Sequence, residues 1–581
     1  MSLFTDDAFL PKYPVPDLDE VVEDLKQRAR PIVSEQSFKE FCDALDEFIA
    51  TDGTILYGEV NGLARGLPDN DSWLRPIWDD NYLRSRLPLP QHYNYTLQLN
   101  HRRWGPYELV KLIRALTSII LRIRAETLPR QKGKVDLSMD TLNRMIYTRV
   151  PAPERDVLYL QPLTGRLNAA VVCRGHWFIM ALRTSDGALT STEDLMLELD
   201  SIRAQAGEAG EAVCVSAYTA ADRDEALRLR GRLCRYRLNR LNLADIEQAM
   251  FVICLDPEVR DEEAFGLNLI AGDAGNRFYD KSLQVISSGD HLGLQLEHSG
   301  CDGGMWDYII GQCDKIIGNR KTAPTSDTTS SGPSCPCPRR LKWMVDDDLK
   351  EELERVEQEQ KIWRDELDIC QHRLPNVSGP IIKKLNCSPD AYVQLLFQSA
   401  HYRLEGRFDS IYEAVSTRHY HQGRTEDIRT VTPESVSLLR ALERGEPVQV
   451  IRRLLSEASR AHRAALERAM KASGAGRFFT ALRAVHEMYR PNTPEPAIFS
   501  HKVYQMLSGA ALTTSGLPGE AIAHFAFPPV QEDGFGVGYG LNEGGTHVAV
   551  TGYKRFDKDP KKLVSLIIDS NMRLMDALTG S

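Results

Sequence analysis

The sequence has no long hydrophobic run and no excess of basic residues. No apolar stretch among its 581 residues approaches the ~18–20 residues that a membrane-spanning helix needs. The 71 Lys and Arg residues are outnumbered by 81 Asp and Glu residues, which leaves a net charge of −10. Nucleic-acid binders need surplus positive charge to displace phosphate counterions. We therefore expect neither a membrane span nor nucleic acid as a partner.

Targeting signals and paired cysteines are also missing. The N-terminal residues carry neither a signal peptide nor a basic transit sequence, and the C-terminal residues carry no peroxisomal signal. The 11 cysteines are odd in number and lack the spacing of a disulfide framework, which indicates a reducing compartment. Cys335 and Cys337 have no second Cys or His pair at zinc spacing, so we assign them to a loop. These observations predict a cytoplasmic protein without a metal site.

The patterns along the chain are typical of an α/β protein. At about 150 residues per domain, the length corresponds to about four domains or two large ones. Amphipathic periodicity predicts helices over 17–49, 107–127 and 345–371, and short apolar strands alternate with helices after residue 168. The strand candidates include 212–217, 250–255, 282–287 and 292–297. Residues 321–337 are rich in Thr, Ser and Pro and predict a flexible surface loop.

One histidine follows a predicted β-hairpin. Residues 282–286 and 292–296 alternate, Ser288-Gly289-Asp290 forms the turn, and the second strand runs into Glu297-His298 and a glycine-rich loop. A strand end fixes the orientation of His298, and the loop leaves open space in front of it, as a general base requires. On local grounds alone, a structural or exposed histidine is the more common interpretation.

Three further segments have polar side chains whose role the local sequence leaves open. Thr513-Thr514-Ser515 could donate to an oxyanion, although a turn or helix cap is the preferred local interpretation. Residues 412–418 are interpreted as a loop dense in ligand-binding groups. Lys383 and Lys384 either hold an anionic ligand or are simply solvated. The chain has no P-loop, since Gly300–Gly304 contains no Walker-type lysine, and no nucleophile elbow.

Taken in order, the motifs resemble the choline/carnitine acyltransferase family over nearly the whole chain. The resemblance rests on 10–18 (LPKYPVPDL), Ser72 to Leu83, 136–140 (DLSMD), 149–156 (RVPAPERD), 276–284 (NRFYDKSLQ), Glu297-His298, 388–391 (SPDA), Tyr412-Glu413, 423–425 (GRT), the hydroxyl triplet and 533–537 (DGFGV). So many spaced motifs in one order are specific to the family.

The resemblance implies an α/β fold of two similar halves like chloramphenicol acetyltransferase, with mixed sheets flanked by helices. Residues 91–337 would form the N-terminal-type half, which carries the histidine. Residues 1–90 and 338–581 would form the C-terminal-type half, which carries the donor and acceptor motifs. The active-site tunnel would lie at their interface, with the acyl thioester entering from one side and the hydroxyl acceptor from the other.

The resemblance also assigns roles in catalysis. His298 matches the general base that takes the proton of the acceptor hydroxyl and returns it to the leaving thiolate. Ser515 matches the residue that stabilises the oxyanion, and Asp302 and Arg424 match a charge pair that fixes the histidine loop. The transfer would be direct and reversible, without an acyl-enzyme intermediate and without a metal. No tightly bound cofactor is implied.

The binding positions match the family with exceptions. The acceptor set is Tyr412, Thr425, Arg477 and Thr513; the donor set is Lys383, Lys384, Asp390 and Ser416; the acyl pocket is Phe525 and Phe527. Gly379 stands where CoA-using members have the first of two lysines, and Ala414 replaces a serine of the acceptor pocket. Phe525 stands where long-chain members have glycine, which favours a short or differently shaped acyl group.

These departures and the lack of targeting favour a resemblance to the carnitine-acyltransferase-like domains of fungal highly reducing polyketide synthases. The donor would then be a phosphopantetheine thioester on an acyl carrier protein, or CoA, and the acceptor a polyol or carnitine. The chain would be part of a larger megasynthase. The alternatives are a free-standing carnitine O-acetyltransferase, a thioester hydrolase and an inactive acyl-binding domain. Retention of His298, Ser515, Asp302 and Arg424 argues against the last.

Overall fold

A computed structural model describes residues 3–68, 71–100, 105–161, 167–318 and 338–579. The predicted loop over 321–337, with Cys335 and Cys337, lies outside these residues. The described helices are, in chain order, α1 (Leu18–Ala29), α2 (Glu35–Phe48), α3 (Thr54–Gly66), α4 (Leu74–Leu83), α5 (Leu89–His92), α6 (Pro106–Arg124), α7 (Thr192–Glu208), α8 (Arg223–Leu233), α9 (Arg237–Gln248), α10 (Glu262–Ile270), α11 (Gly303–Gly318), α12 (Asp347–Glu366), α13 (Gly379–Lys383), α14 (Pro389–Glu405), α15 (Pro433–Glu443), α16 (Val448–Met470), α17 (Ala475–Tyr489), α18 (Lys502–Ser508) and α19 (Pro560–Thr579). None of these described helices combines the length and the apolar character that crossing a bilayer requires.

Two large mixed sheets organise the described strands. In chain order the strands are β1 (Asn94–Leu99), β2 (Tyr147–Val150), β3 (Val157–Leu160), β4 (Asn168–Cys173), β5 (His176–Ala181), β6 (Val252–Asp256), β7 (Leu283–Ser288), β8 (His291–Glu297), β9 (Arg339–Arg340), β10 (Leu367–Leu374), β11 (Ile411–Ser416), β12 (Thr425–Arg429), β13 (Leu512–Gly516), β14 (Ile522–Ala526), β15 (Phe535–Asn542) and β16 (Gly545–Tyr553). One sheet has the order β14-β1-β8-β7-β6-β4-β5-β9, the other β10-β16-β15-β13-β11-β12, and β2 and β3 form a separate hairpin. Helices cover both sheets, so the predicted α/β class is confirmed.

Strand β14 links the two sheets. It lies between β13 and β15 in sequence but pairs antiparallel with β1, with Phe525 opposite Leu97. The crossing segment passes directly over β15, where a Cβ at Gly538 would lie 1.8 Å from the backbone oxygen of Phe525. Glycine therefore permits this close approach. The crossing brings Phe525 next to the strand that neighbours β8, at whose end His298 lies.

The N-terminal helices share a core with the C-terminal part of the chain. Buried side chains of α1 to α4 pack with those of α17 and α18 in one apolar cluster. A buried ion pair joins the same regions, since Arg28 Nη1 donates to Asp427 Oδ2 at 2.9 Å. The position of α4 is therefore fixed by packing against segments that are distant in sequence.

Several local predictions are wrong. Residues 212–217 form no strand; Val215–Ala220 is a buried 3₁₀ helix, and a short apolar run is compatible with burial in either conformation. The helix predicted over 345–371 ends at Glu366, because Leu367–Leu374 pairs with β16. The segment that begins at Tyr412 forms strand β11 and not a loop. The hydroxyl triplet lies in strand β13, which pairs in parallel with β11, and not in a turn.

Candidate active site

His298 follows the last residue of β8 and begins the loop 298–302 that leads into α11. The rings of Tyr82 and Tyr95 flank its imidazole, with ring centres 5.6 Å and 5.1 Å away. The side chain of His298 is 35% exposed, so a substrate can reach it. The surrounding protein nevertheless desolvates the ring and lowers the pKa of His298, against the opposing effect of Asp302. The imidazole is therefore neutral near pH 7 and can accept a proton.

Arg424, immediately before β12, holds the histidine loop. Its guanidinium donates to Asp302 from Nε (3.0 Å) and Nη2 (2.8 Å). It also donates to the backbone oxygens of Ser299 (2.8 Å) and His298 (2.9 Å). Burial alone would raise the pKa of Asp302, but the Arg424 charge outweighs it and lowers this pKa to about 2. Asp302 is therefore ionised, and its Oδ1 lies 3.6 Å from His298 Nδ1, which leaves Nε2 for proton transfer.

One face of the six-stranded sheet carries the predicted hydroxyl groups. Tyr412 lies beside Thr513 in the parallel pair of β11 and β13, so Tyr412, Ala414, Ser416, Thr513 and Ser515 share this face. Thr514 points to the other face, where its Oγ1 donates to the Tyr412 carbonyl at 2.7 Å and is buried. Leu517, just beyond β13, packs against Gly303 at the end of the histidine loop. The strand that carries Ser515 therefore ends close to the histidine loop.

The four predicted acceptor residues lie together. Arg477, in the first turn of α17, donates from Nη2 to the Tyr412 hydroxyl at 2.8 Å and from Nε to the Thr425 carbonyl at 3.4 Å. Thr513 is the neighbour of Tyr412 across the sheet. A guanidinium held by hydrogen bonds at the edge of a polar sheet face suits a carboxylate ligand. The acceptor role of these residues stays a prediction.

Sequence reasoning did not assign two aromatic residues of α4 to the site. Trp78 and Tyr82 are four residues apart and so lie on one helix face. The Arg477 guanidinium carbon lies 4.1 Å from the centre of the Trp78 ring, and that of Arg424 lies 5.3 Å from the centre of the Tyr82 ring. The spacing of four residues between Trp78 and Tyr82 in the Trp-rich motif is the sequence signal that could have assigned them to the site. This face of α4 lines the region between the acceptor residues and His298.

The two predicted acyl-pocket residues are connected to His298 through the ring of Tyr95. Phe525 packs edge-on against Tyr95, with ring centres 5.8 Å apart, and against Phe527 at 5.3 Å. Tyr95 in turn contacts His298. Phe525 is buried and Phe527 is partly exposed. The Tyr95 ring therefore lies between the imidazole and an aromatic wall formed by Phe525 and Phe527. This arrangement is consistent with a restricted acyl pocket.

The predicted donor residues fall into two groups. Lys383 and Lys384 lie exposed at the end of α13, and Ser416 lies exposed at the end of β11. Arg463, on α16, is exposed and lies near Cys387, which follows Lys384 by three residues: burial raises the pKa of the Cys387 thiol to about 11, and the nearby Arg463 charge acts against this. Sequence reasoning missed Arg463 because only packing brings α16 to the start of α14. A third exposed cation therefore lies near the start of α14, which follows the two lysines in sequence.

Asp390, the remaining donor prediction, lies in a polar cluster with Glu413 and His462. It accepts hydrogen bonds from the Tyr539 hydroxyl at 2.8 Å and from His462 Nε2 at 3.0 Å. The ligand atoms of Asp390, Glu413 and His462 lie within 4.8 Å of one another, as in a metal site. Burial and the neighbouring Asp390 raise the pKa of Glu413, so Glu413 holds a proton. We interpret the carboxyl groups of Asp390 and Glu413 as a proton-sharing acid pair.

Comparison with known proteins gives a consistent family assignment. The model of the family described as Choline/Carnitine o-acyltransferase matches residues 13–568. Carnitine O-acetyltransferase of Mus musculus is 26% identical over 569 residues, covering 94% of this chain and 89% of that protein. Choline O-acetyltransferase of Homo sapiens is 28% identical over 569 residues, covering 92% and 74%. Carnitine O-palmitoyltransferase 1, muscle isoform, of Rattus norvegicus is 27% identical over 582 residues, covering 92% and 72%.

Proposed function

The chain belongs to the choline/carnitine O-acyltransferase family, and on this premise we propose that it moves a polyketide-type acyl group from a phosphopantetheine thioester to an alcohol. Family membership makes it an acyltransferase that acts from a CoA-type thioester to a hydroxyl group. The acyl group, the carrier of the phosphopantetheine and the alcohol are the parts that we propose. We further propose an acyl carrier protein of a megasynthase as the partner.

The position of His298 supports this function best. A neutral, reachable imidazole lies between the polar cluster around Arg477 and the aromatic wall around Phe525. An alcohol bound at the polar cluster and an acyl group bound at the aromatic wall would meet at the imidazole. Fixed proximity of two substrates and one proton acceptor is the main requirement of acyl transfer between sulfur and oxygen.

The proposed reaction is a direct transfer. The alcohol oxygen attacks the thioester carbonyl while His298 Nε2 takes the hydroxyl proton. The Ser515 hydroxyl donates to the oxyanion of the tetrahedral intermediate. When the intermediate collapses, the carbon–sulfur bond breaks and the imidazolium returns the same proton to the thiolate. The protein is unchanged at the end, and the reverse reaction uses the same groups.

The donor preference rests on Gly379. This residue begins α13, and a Cβ placed there would meet no atom within 4 Å. The space for a lysine is open, but the side chain that would pair with a 3′-phosphate is missing. A carrier-bound phosphopantetheine has no 3′-phosphate and loses nothing by this change. The exposed cations Lys383, Lys384 and Arg463 suit the single phosphate of that arm or an acidic carrier surface.

Carnitine O-acetyl transfer is the second candidate, and the acceptor cluster favours it. Arg477 held by Tyr412 and Thr425 is suited to a carboxylate, which carnitine has and simple polyols lack. Ala414 on the same sheet face argues the other way, since it removes a hydroxyl from the pocket.

A panel of donors and acceptors tests the proposal. The same acyl group is supplied on pantetheine and on CoA, each with carnitine, choline, glycerol or a sugar alcohol. Thiol release gives the rate, and mass spectrometry identifies the ester. We expect a non-carnitine ester, with kcat/KM values for the two donors within about 3-fold of each other. Carnitine ester as the exclusive product would favour the second candidate.

Two controls complete this experiment. His298→Ala should lose thiol release with every acceptor, because the general base is gone. Thiol release at full rate without any alcohol would instead identify a thioester hydrolase. Wild-type rates in His298→Ala would reject the proposed mechanism.

A further inference from the structure

A second set of buried side chains, separate from Arg424, also holds the histidine loop. Glu297, the residue before His298, is fully buried, and its Oε2 accepts a hydrogen bond from the Ser299 backbone N–H at 3.0 Å. Its Oε1 accepts from the Ser299 hydroxyl at 2.6 Å. The carboxylate therefore holds Ser299, the residue after His298, by both its backbone and its side chain.

Tyr147, on β2, fixes the middle of the loop. Its hydroxyl donates to the Glu297 carboxylate and accepts a hydrogen bond from the Gly300 N–H at 2.9 Å. A Cβ at Gly300 would lie 2.4 Å from the Tyr147 ring, so ring and loop backbone are in direct contact. One buried phenol thus satisfies two groups of the loop, and its removal leaves the Gly300 N–H without this acceptor.

Arg149, two residues further along β2, joins the loop to the wall of the site. Its Nη1 donates to the Ser299 hydroxyl at 3.0 Å and lies 3.3 Å from Glu297 Oε1. Its Nη2 donates to the backbone oxygen of Tyr82 at 2.8 Å, the residue whose ring faces His298. Its Nε donates to Asp156 at 2.8 Å, which anchors the guanidinium. One side chain therefore ties the loop to α4.

We propose that Tyr147 and Arg149 are positioning residues that set the orientation of His298 for proton transfer. They act through Glu297 and the N–H groups of Ser299 and Gly300, whereas Arg424 holds the carbonyls of the same loop. Because both backbone N–H groups and backbone carbonyls of this five-residue loop are held by hydrogen bonds, the imidazole of His298 has little freedom to move. The inference rests on the proposed role of His298 as the base.

Tyr147→Phe tests this inference against the matched control Tyr279→Phe. Tyr279 is equally buried, and its hydroxyl donates to the Gly272 carbonyl at 2.9 Å, away from the histidine loop. We expect kcat of Tyr147→Phe to fall about 10- to 100-fold with KM for both substrates within about 2-fold, because a displaced base slows chemistry without weakening binding. Tyr279→Phe should keep kcat while losing thermal stability to a similar extent.

Ser299→Ala is the second variant, and it decides the matter if Tyr147→Phe does not fold. It removes the hydroxyl that links Arg149 with Glu297 and should lower kcat at least about 3-fold at constant KM. A kcat of Tyr147→Phe equal to that of Tyr279→Phe would overturn the inference, and so would an equal kcat of Ser299→Ala if Tyr147→Phe does not fold. With His298→Ala inactive, such a result would leave the proposed function standing, whereas an active His298→Ala would reject the proposed function itself.

Discussion

Arg424→Met should uncouple the histidine loop from its charge partner. The substitution removes the hydrogen bonds that Arg424 donates to the Asp302 carboxylate and to the backbone oxygens of His298 and Ser299. Methionine fills much of the same volume but carries no charge. The Asp302 side chain, which is 11% exposed, then stays buried without its cation. Both the stability of the protein and the pKa of His298 should change.

The pKa of Asp302 sets the size of the stability effect. Its value of about 2 lies below the ordinary 3.8, and ~1.4 kcal/mol per unit gives about 2 kcal/mol of stabilisation. Because the folded-state pKa is depressed, this contribution is present above about pH 4 and is lost as the pH falls through about 2. Removing one partner of a buried pair costs about 3–5 kcal/mol, so Arg424→Met should lose at least about 2 kcal/mol at neutral pH.

The effect on catalysis has a predictable sign. Arg424 lowers the pKa of His298 and Asp302 raises it, so loss of the arginine alone should raise the pKa. The acidic limb of the pH profile of kcat/KM should move to higher pH, and kcat should fall about 100-fold because the loop is no longer held. Thiol release from an acyl-CoA, followed across the pH range, measures both quantities.

Arg277→Met is the matched control. Arg277 is fully buried and pairs with Asp256 at 2.6 Å, so its loss should destabilise the fold without moving the acidic limb. The double variant Asp302→Asn/Arg424→Met removes the orphaned charge and should recover part of the lost melting temperature but not the lost kcat. An acidic limb unchanged in Arg424→Met, or moved equally in Arg277→Met, would refute the reasoning.

Three other substitutions test separate parts of the molecule. Gly379→Lys should lower KM for acyl-CoA about 5-fold, as about 1 kcal/mol from an exposed charge pair implies, and should leave KM for acyl-pantetheine and the control Gly379→Ala unchanged. Phe525→Ala should raise kcat/KM for a hexanoyl donor relative to an acetyl donor at least about 10-fold, since it opens the aromatic wall; an unchanged ratio would place the acyl pocket elsewhere. Asp307→Asn should stabilise the protein by about 1–2 kcal/mol at pH 7.5, because burial raises the pKa of Asp307 to about 6 and makes its ionisation in the folded protein unfavourable. At pH 4 the carboxyl of the folded wild-type protein is already protonated, so thermal melts at this pH should show no gain in stability.

Local patterns in the sequence predicted those parts of the site whose structure depends on neighbouring residues. The hairpin of β7 and β8 follows from alternation around Ser288-Gly289-Asp290, so His298 at its end was predictable. The strands β11 and β13 were not, because each is short and pairs in parallel with a strand distant in sequence. Periodicity within a few residues has no information on such a partner.

The roles of three residues near the site depend on helices that only packing brings there. Arg463 lies near Cys387 because α16 packs on the start of α14, where the Ser388 N–H donates to Ser459 Oγ at 2.9 Å. Trp78 and Tyr82 reach the guanidinium groups because α1 to α4 share a core with α17 and α18. Nothing in the segments around these residues specifies those contacts.

The sequence by itself determined the α/β class, the family, and the presence of a histidine at a strand end with a downstream acid. It determined these because alternation, glycine-rich turns and motif order are local or linear properties. Only the tertiary structure decided that Tyr147 and Arg149 hold the His298 loop, that Arg477 donates to Tyr412, and that β14 carries Phe525 into the other sheet. These contacts join segments far apart in the chain, and the burial and backbone pairing that select them exist only when the whole chain is folded.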